Sequence, residues 1–180
     1  MSVPDPPIHP AGPFTPEPKP DPTAIRAAID SLEAAPRALR TATLGLPPLG
    51  FDLPYRNWSV RQIVHHLADS HLNAFVRVKL TLTEDRPTVK PYDESLWAAT
   101  VDARDADPEL SLRIFESVHA RLVMLLRSLP PEAFAREYFH PERNSIFPLW
   151  HLVDLYAWHA RHHTAQIRWV REHRLERPPV

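Results

Sequence analysis

The chain has 180 residues, 43% of them hydrophobic and 24% charged, with 22 prolines, three glycines, eleven histidines and no cysteine. That is the mixture of a globular domain large enough to bury its own core, and it excludes collagen, acidic disorder and disulfide scaffolds. A formal net charge of −1 provides no global field to draw the chain onto nucleic acid or an anionic membrane, and without thiols any metal would have to sit on nitrogen and oxygen.

Nine of the prolines fall in residues 1–22, which read as a loosely ordered, extended N-terminal arm in which only Ile8 and Phe14 offer apolar mass to the body. The folded domain is expected over 23–175. All three glycines precede residue 51, so the body avoids residues that want positive φ and favours long helices with proline-set ends. A first helix is expected from Thr23 to about Leu44, carrying an apolar stripe of Ile25, Ile29, Leu32 and Leu39 that is interrupted, with a kink, near Pro36. Ser59-Val60-Arg61-Gln62 has the hydroxyl and the N3 amide of a capping box and starts a second helix running to about Glu84.

A loop over Asp85–Asp93 and a short turn over Glu94–Ala99 follow. Asp107-Pro108 then supplies an N-cap and an N1 proline for a third helix reaching Ser128, with Leu112, Phe115, Val118 or His119, and Leu122 facing inward. A helical turn at Glu132–Arg136 and an irregular piece over Tyr138–Phe147, which has room for a small hairpin, lead to a last helix from Pro148 to about Arg171. The inner side of that helix carries Leu152, His159, His163, Ile167 and Val170. Four substantial helices with a long crossover between the second and third predict an all-α four-helix bundle.

Ten of the eleven histidines lie between His65 and His173, so chemistry is sought there. In His159-Ala160-Arg161-His162-His163, the residues four apart share a helix face and can aim two imidazoles at one ion, while His162 projects elsewhere. Ala160 stands where a metalloprotease helix has its glutamate, so the spacing survives and the protease does not. Neutral imidazole suits zinc, nickel or ferrous iron, and a third ligand must come from another helix. His66, on the second helix, can border the core and supply it.

Several stretches resemble a known family: Pro54-Tyr55-Arg56, Trp58-Ser59-Val60-Arg61-Gln62, His65-His66-Leu67-Ala68-Asp69-Ser70-His71, Lys79-Leu80 through Thr83-Glu84, Lys90-Pro91-Tyr92-Asp93-Glu94, Trp97, Tyr138 to Pro141, and Trp158-His159 with His163. The family is the DinB-like metal-binding helical bundles, in the branch of YfiT-type metal-dependent hydrolases, and the likeness runs from about residue 23 to 170. It implies three metal ligands at His66, His159 and His163, a four-helix bundle, a homodimer, and a divalent ion, zinc ahead of nickel. Thr164-Ala165-Gln166 departs from the pattern, where a further histidine would be familiar, and the proline-rich arm is longer than usual.

Around these positions, His65 and His71 read as surface or supporting histidines. Asp69 and Asp154 could orient an imidazole or remain exposed charges, Glu116 and His119 join Asp69 as candidate proton carriers, and His151, Trp150 and Trp58 read as packing residues. The basic side formed by Arg161, Arg168, Arg171 and Arg174 reads as a solvated face, so no nucleic-acid partner is expected. No apolar leader and no run of the roughly 20 apolar residues that span a bilayer is present, so a cytoplasmic protein without a membrane partner is expected.

Three imidazoles leave coordination positions open. The first expectation is therefore hydrolysis of a small molecule by an ion-activated water. The alternatives are transfer of a low-molecular-weight, bacillithiol-like thiol to an electrophile, as related family members imply, and a non-catalytic metal-binding bundle.

Overall fold

The computed structural model describes residues 3–175; residues 1–2 of the expected arm lie outside them. Helix α1 (Pro22–Thr43) starts with Asp21 Oδ1 accepting from Ala24 N at 2.7 Å and with Pro22 at its first position. It runs as one helix through Pro36. Beyond its end Gly45 adopts φ +73°, the left-handed conformation that closes helices.

A four-residue helix α2 (Pro48–Phe51) and a two-residue hairpin, β1 (Pro54–Tyr55) with β2 (Trp58–Ser59), lead into α3 (Val60–Thr83). Both halves of the expected capping box are formed there: Ser59 Oγ accepts from Gln62 N at 3.2 Å, and Gln62 Oε1 accepts from Ser59 N at 2.9 Å. The crossover holds α4 (Glu94–Ala98) and α5 (Val101–Asp105); α6 (Pro108–Arg127) starts on Asp107, as its sequence predicts. A 3₁₀ turn (Pro131–Ala135) precedes the antiparallel pair β3 (Glu137–His140) and β4 (Ser145–Pro148), where Asn144 turns the chain at φ +44°. Helix α7 (Leu149–Val170) closes the bundle, followed by a π turn at Arg171–Leu175. Elements α2, α5 and the β1–β2 pair go beyond the sequence expectation, each too short to carry a periodicity.

Helix α1 packs on α6 and α7, and α3 packs on the same two helices. Around the bundle the order is therefore α1, α6, α3, α7, with α1 diagonal to α3, α6 diagonal to α7, and α3 beside α7. The crossover is stitched to the hairpin by Phe139 N donating to Pro87 O (2.9 Å) and Val89 N donating to Phe139 O (3.0 Å). Together they form a wall beside α3 and α7.

The arm is seated on the body, a correction to its reading as a loose terminus. Tyr55 Oη donates to Pro7 O, Arg56 Nη1 to Pro6 O (3.0 Å), Trp158 Nε1 to Gly12 O (3.0 Å) and Trp150 Nε1 to Glu17 O (2.8 Å). Proline-rich backbone keeps its carbonyls while losing amide hydrogens, so it is held by side-chain donors from the body. Phe14 packs against Trp158 and His151, whereas Ile8 stays exposed.

Candidate metal centre

His66 lies two turns into α3, and His159 and His163 lie one turn apart on α7, so two neighbouring helices carry all three. Their donor nitrogens all fall within 4.8 Å of one another. His159 Nε2 is 3.2 Å from His66 Nε2 and 3.1 Å from His163 Nε2. Burial disfavours the imidazolium: it pushes His66 down to about 4 and holds His159 and His163 well below their ordinary value, the neighbouring imidazoles adding to the effect. At neutral pH all three rings are neutral and offer lone pairs.

Which nitrogen carries the lone pair is set by partners deeper in the bundle. Pro36 has no amide hydrogen, so Leu32 O, four residues earlier on α1, lacks the donor a helix normally provides. His119 on α6 takes that place, its Nδ1 2.6 Å from Leu32 O. A carbonyl only accepts, so His119 Nδ1 carries the hydrogen and its Nε2 is an acceptor. That nitrogen lies 2.9 Å from His71 Nδ1, which must donate, leaving His71 Nε2 to accept from His159 Nδ1 at 3.3 Å. One hydrogen-bonded chain therefore crosses all four long helices and leaves the Nε2 lone pair of His159 directed at the other two rings.

His163 is fixed from the other side. Its Nδ1 donates to Gln166 Oε1 at 2.8 Å, and Gln166 Nε2 in turn donates to His162 Nε2 at 3.0 Å. Two lone pairs thus converge at 3.1 Å, between His159 and His163, with no hydrogen between them. That arrangement is repulsive unless a cation joins it, so the donor set fits a divalent ion.

The three rings open onto a cavity of about 410 Å³ between α3, α7, the crossover and the β3–β4 hairpin. Trp58 covers His66 with ring centres 4.6 Å apart and also stacks over His163. Tyr92, Tyr138 and Tyr156 line it too, Tyr156 with its ring centre 5.6 Å from that of His159. Burial raises the Tyr92 and Tyr138 phenols, keeping both protonated as donors.

The remaining candidates separate cleanly. Asp69 makes no hydrogen bond to the three imidazoles; burial, and then Asp102, raises its carboxyl to about 6. Asp154 accepts from Glu17 N of the arm, and Glu116 pairs with Arg40. His65 is tied to Ser111 Oγ at 2.7 Å and to Ala106 O at 3.3 Å. His151 stacks on Phe147 and lines the cavity, and Trp150 binds the arm. His71 and His119, read from sequence as a supporting histidine and a candidate proton carrier, turn out to be links in the chain behind His159. Pro36 and Gln166 were missed as site residues. The signal available was a proline inside an amphipathic helix, and a glutamine one turn after a ligand candidate.

Residues 24–167 match the family model of the DinB superfamily. YfiT of Bacillus subtilis is 43% identical over 141 residues, covering 77% of this chain and 79% of that protein. A Geobacillus kaustophilus protein is 41% identical over 174 residues, covering 96% of this chain and 98% of its own length. Both carry provisional names as metal-dependent hydrolases. The solved structure of Bacillus subtilis YfiT, described as having an unusual four-helix bundle topology, superposes with a TM-score of 0.88 at 38% identity, covering 91% of this chain and 95% of that one.

Proposed function

Since the chain belongs to the DinB superfamily, we propose that it is a metal-dependent hydrolase of small molecules, with His66, His159 and His163 as the ligands of one divalent ion. The observation that carries this is the convergence of neutral Nε2 lone pairs, fixed from behind by His71 and Gln166, at the edge of a cavity. When bound, an ion on three neutral nitrogens keeps coordination positions open, acidifies a coordinated water and polarises an ester or amide carbonyl. Imidazole donors suit zinc first and nickel second.

The chain's own groups do the rest. Trp58 shields His66 and His163 from bulk water, and the protonated phenols of Tyr92 and Tyr138 offer donors to a substrate oxygen. No thiol is needed from the protein, so transfer of an external thiol is the reading to be separated from hydrolysis.

The test is metal analysis of the purified protein followed by a panel of esters and amides, with and without a small thiol. About one zinc per chain is expected, with thiol-independent hydrolysis that falls about 100-fold or more in His163→Ala while the helical circular dichroism is kept. Turnover that appears only with thiol assigns the transferase reading. A metal-loaded parent with no turnover leaves a non-catalytic metal-binding bundle.

A further inference from the structure

Arg77 shares the face of α3 that carries His66, since positions 66, 70, 73 and 77 recur at helical spacing. It lies about 16 Å further along the helix axis. Its side chain lines the same cavity as the three imidazoles. Nη2 donates to Lys90 O at 2.8 Å and Nη1 reaches Tyr156 Oη at 3.4 Å, while Nε is buried and has no hydrogen-bond partner in the protein. Among the described residues no carboxylate lies within ion-pair distance of this guanidinium.

The other arginine and the carboxylates of the lining, Arg143, Glu94 and Glu142, are exposed at the rim, where Arg143 offsets one of the two carboxylates and water screens all three. Among the described residues of the lining, Arg77 is the one permanently charged group that is partly buried rather than exposed.

A second unpartnered atom belongs to the same cavity. His140, on β3, has its Nδ1 buried without a hydrogen-bond partner. Buried polar atoms are almost always paired, so two unpaired ones from separate elements on one cavity point to a ligand that pairs them. A half-buried guanidinium without a counter-ion selects a ligand that is negatively charged, and its planar fork favours carboxylate or phosphate oxygens.

We propose that Arg77, assisted by His140, forms an anion-binding subsite, and that the substrate carries a carboxylate or phosphate at the end remote from the three histidines. The assignment of this ligand as a substrate rests on the hydrolase reading, but the binding itself does not require the ion.

The test uses chelator-treated full-length protein, so that an anion cannot be captured by a metal. Binding of benzoylglycine, of its neutral amide and of inorganic phosphate is followed by calorimetry on the parent, Arg77→Gln and Arg77→Lys. The glutamine variant keeps a donor for Lys90 O and removes the charge. One of the two anions is expected to bind about tenfold or more tighter than the neutral amide, and which one does so separates carboxylate from phosphate recognition. That preference should vanish in Arg77→Gln and survive in part in Arg77→Lys. Should the glutamine variant unfold, the lysine variant is read alone, with a loss of about threefold or more expected from the missing fork. A parent that binds neither benzoylglycine nor phosphate more tightly than the neutral amide, or a preference untouched by both substitutions, overturns the subsite. Failure of the hydrolase reading shows up separately, as anion binding without metal-dependent turnover.

Discussion

The coupling between Pro36 and His119 can be tested with a double-mutant cycle. His119→Phe keeps the ring volume beside Phe115 and His71 but strands two buried groups, Leu32 O and the Nδ1–H of His71. Each buried polar group left without a partner costs about 1–3 kcal/mol, so the variant should lose roughly 2–6 kcal/mol. Pro36→Ala restores an amide hydrogen to α1 four residues beyond Leu32, giving that carbonyl a donor that does not depend on α6. In the Pro36→Ala background His119→Phe should therefore cost about 1–3 kcal/mol less than in the parent. Denaturant unfolding of chelator-treated protein measures all four corners.

Zinc affinity, read by competition with a chromophoric chelator, should behave differently. It should fall about 10–100-fold in His119→Phe, because His71 then loses the acceptor that makes its Nε2 available to His159. Pro36→Ala should not restore it. A cycle additive within about 0.5 kcal/mol, or an affinity that recovers together with stability, would refute the chain of hydrogen bonds as described.

Two predictions concern acid and base. Burial depresses His66 and His119 to about 4 in the folded protein, so as pH falls below about 6.5 the unfolded chain takes up protons first. The stability these rings contribute is fully present above that pH and is lost toward pH 4, at on the order of 3 kcal/mol each. Unfolding midpoints of chelator-treated protein should fall steeply between pH 6.5 and about 4.5, and a flat profile there would contradict the burial argument. Asp69 has the opposite sign: its carboxyl is raised to about 6 by burial and then by Asp102, so its contribution is present at low pH and lost as pH rises through 6. Asp69→Asn should gain about 2 kcal/mol at pH 7.5, roughly 4–8 °C in Tm, and almost nothing at pH 4. Its zinc affinity should stay within about twofold of the parent, whereas a larger loss would mean that Asp69 supports a ligand after all.

Two of the helix starts were legible because caps are local chemistry: Ser59 and Asp107 each bond an amide within three residues. The pair His159 and His163 was legible because helical spacing is local too, and His66 joined them on the strength of the family resemblance. The seat of the arm was not legible. It depends on Tyr55, Trp150 and Trp158, whose donors meet proline-flanked carbonyls 48 to 146 residues away in the chain. Composition alone reports only that the arm cannot form a packed element of its own.

The histidines behind the site were hidden for a different reason, which concerns how the core is built. The buried apolar residues form two clusters, and each long helix passes from one to the other at a defined height: between Leu32 and Ala35 on α1, Leu67 and Ala74 on α3, Phe115 and Val118 on α6, and Ala157 and Ala160 on α7. At or beside each boundary stands a member of the polar chain, namely the Leu32 carbonyl, His71, His119 and His159. On any single helix such a histidine reads as one polar residue on an apolar stripe, and only the registry of four helices shows that the four form a layer. Such a layer holds only if each member is paired, since half-satisfied polar groups in a core cost more than apolar ones. Pro36 meets that demand by freeing the carbonyl that terminates the chain, which makes a residue with poor helix propensity consistent with a continuous helix at this position.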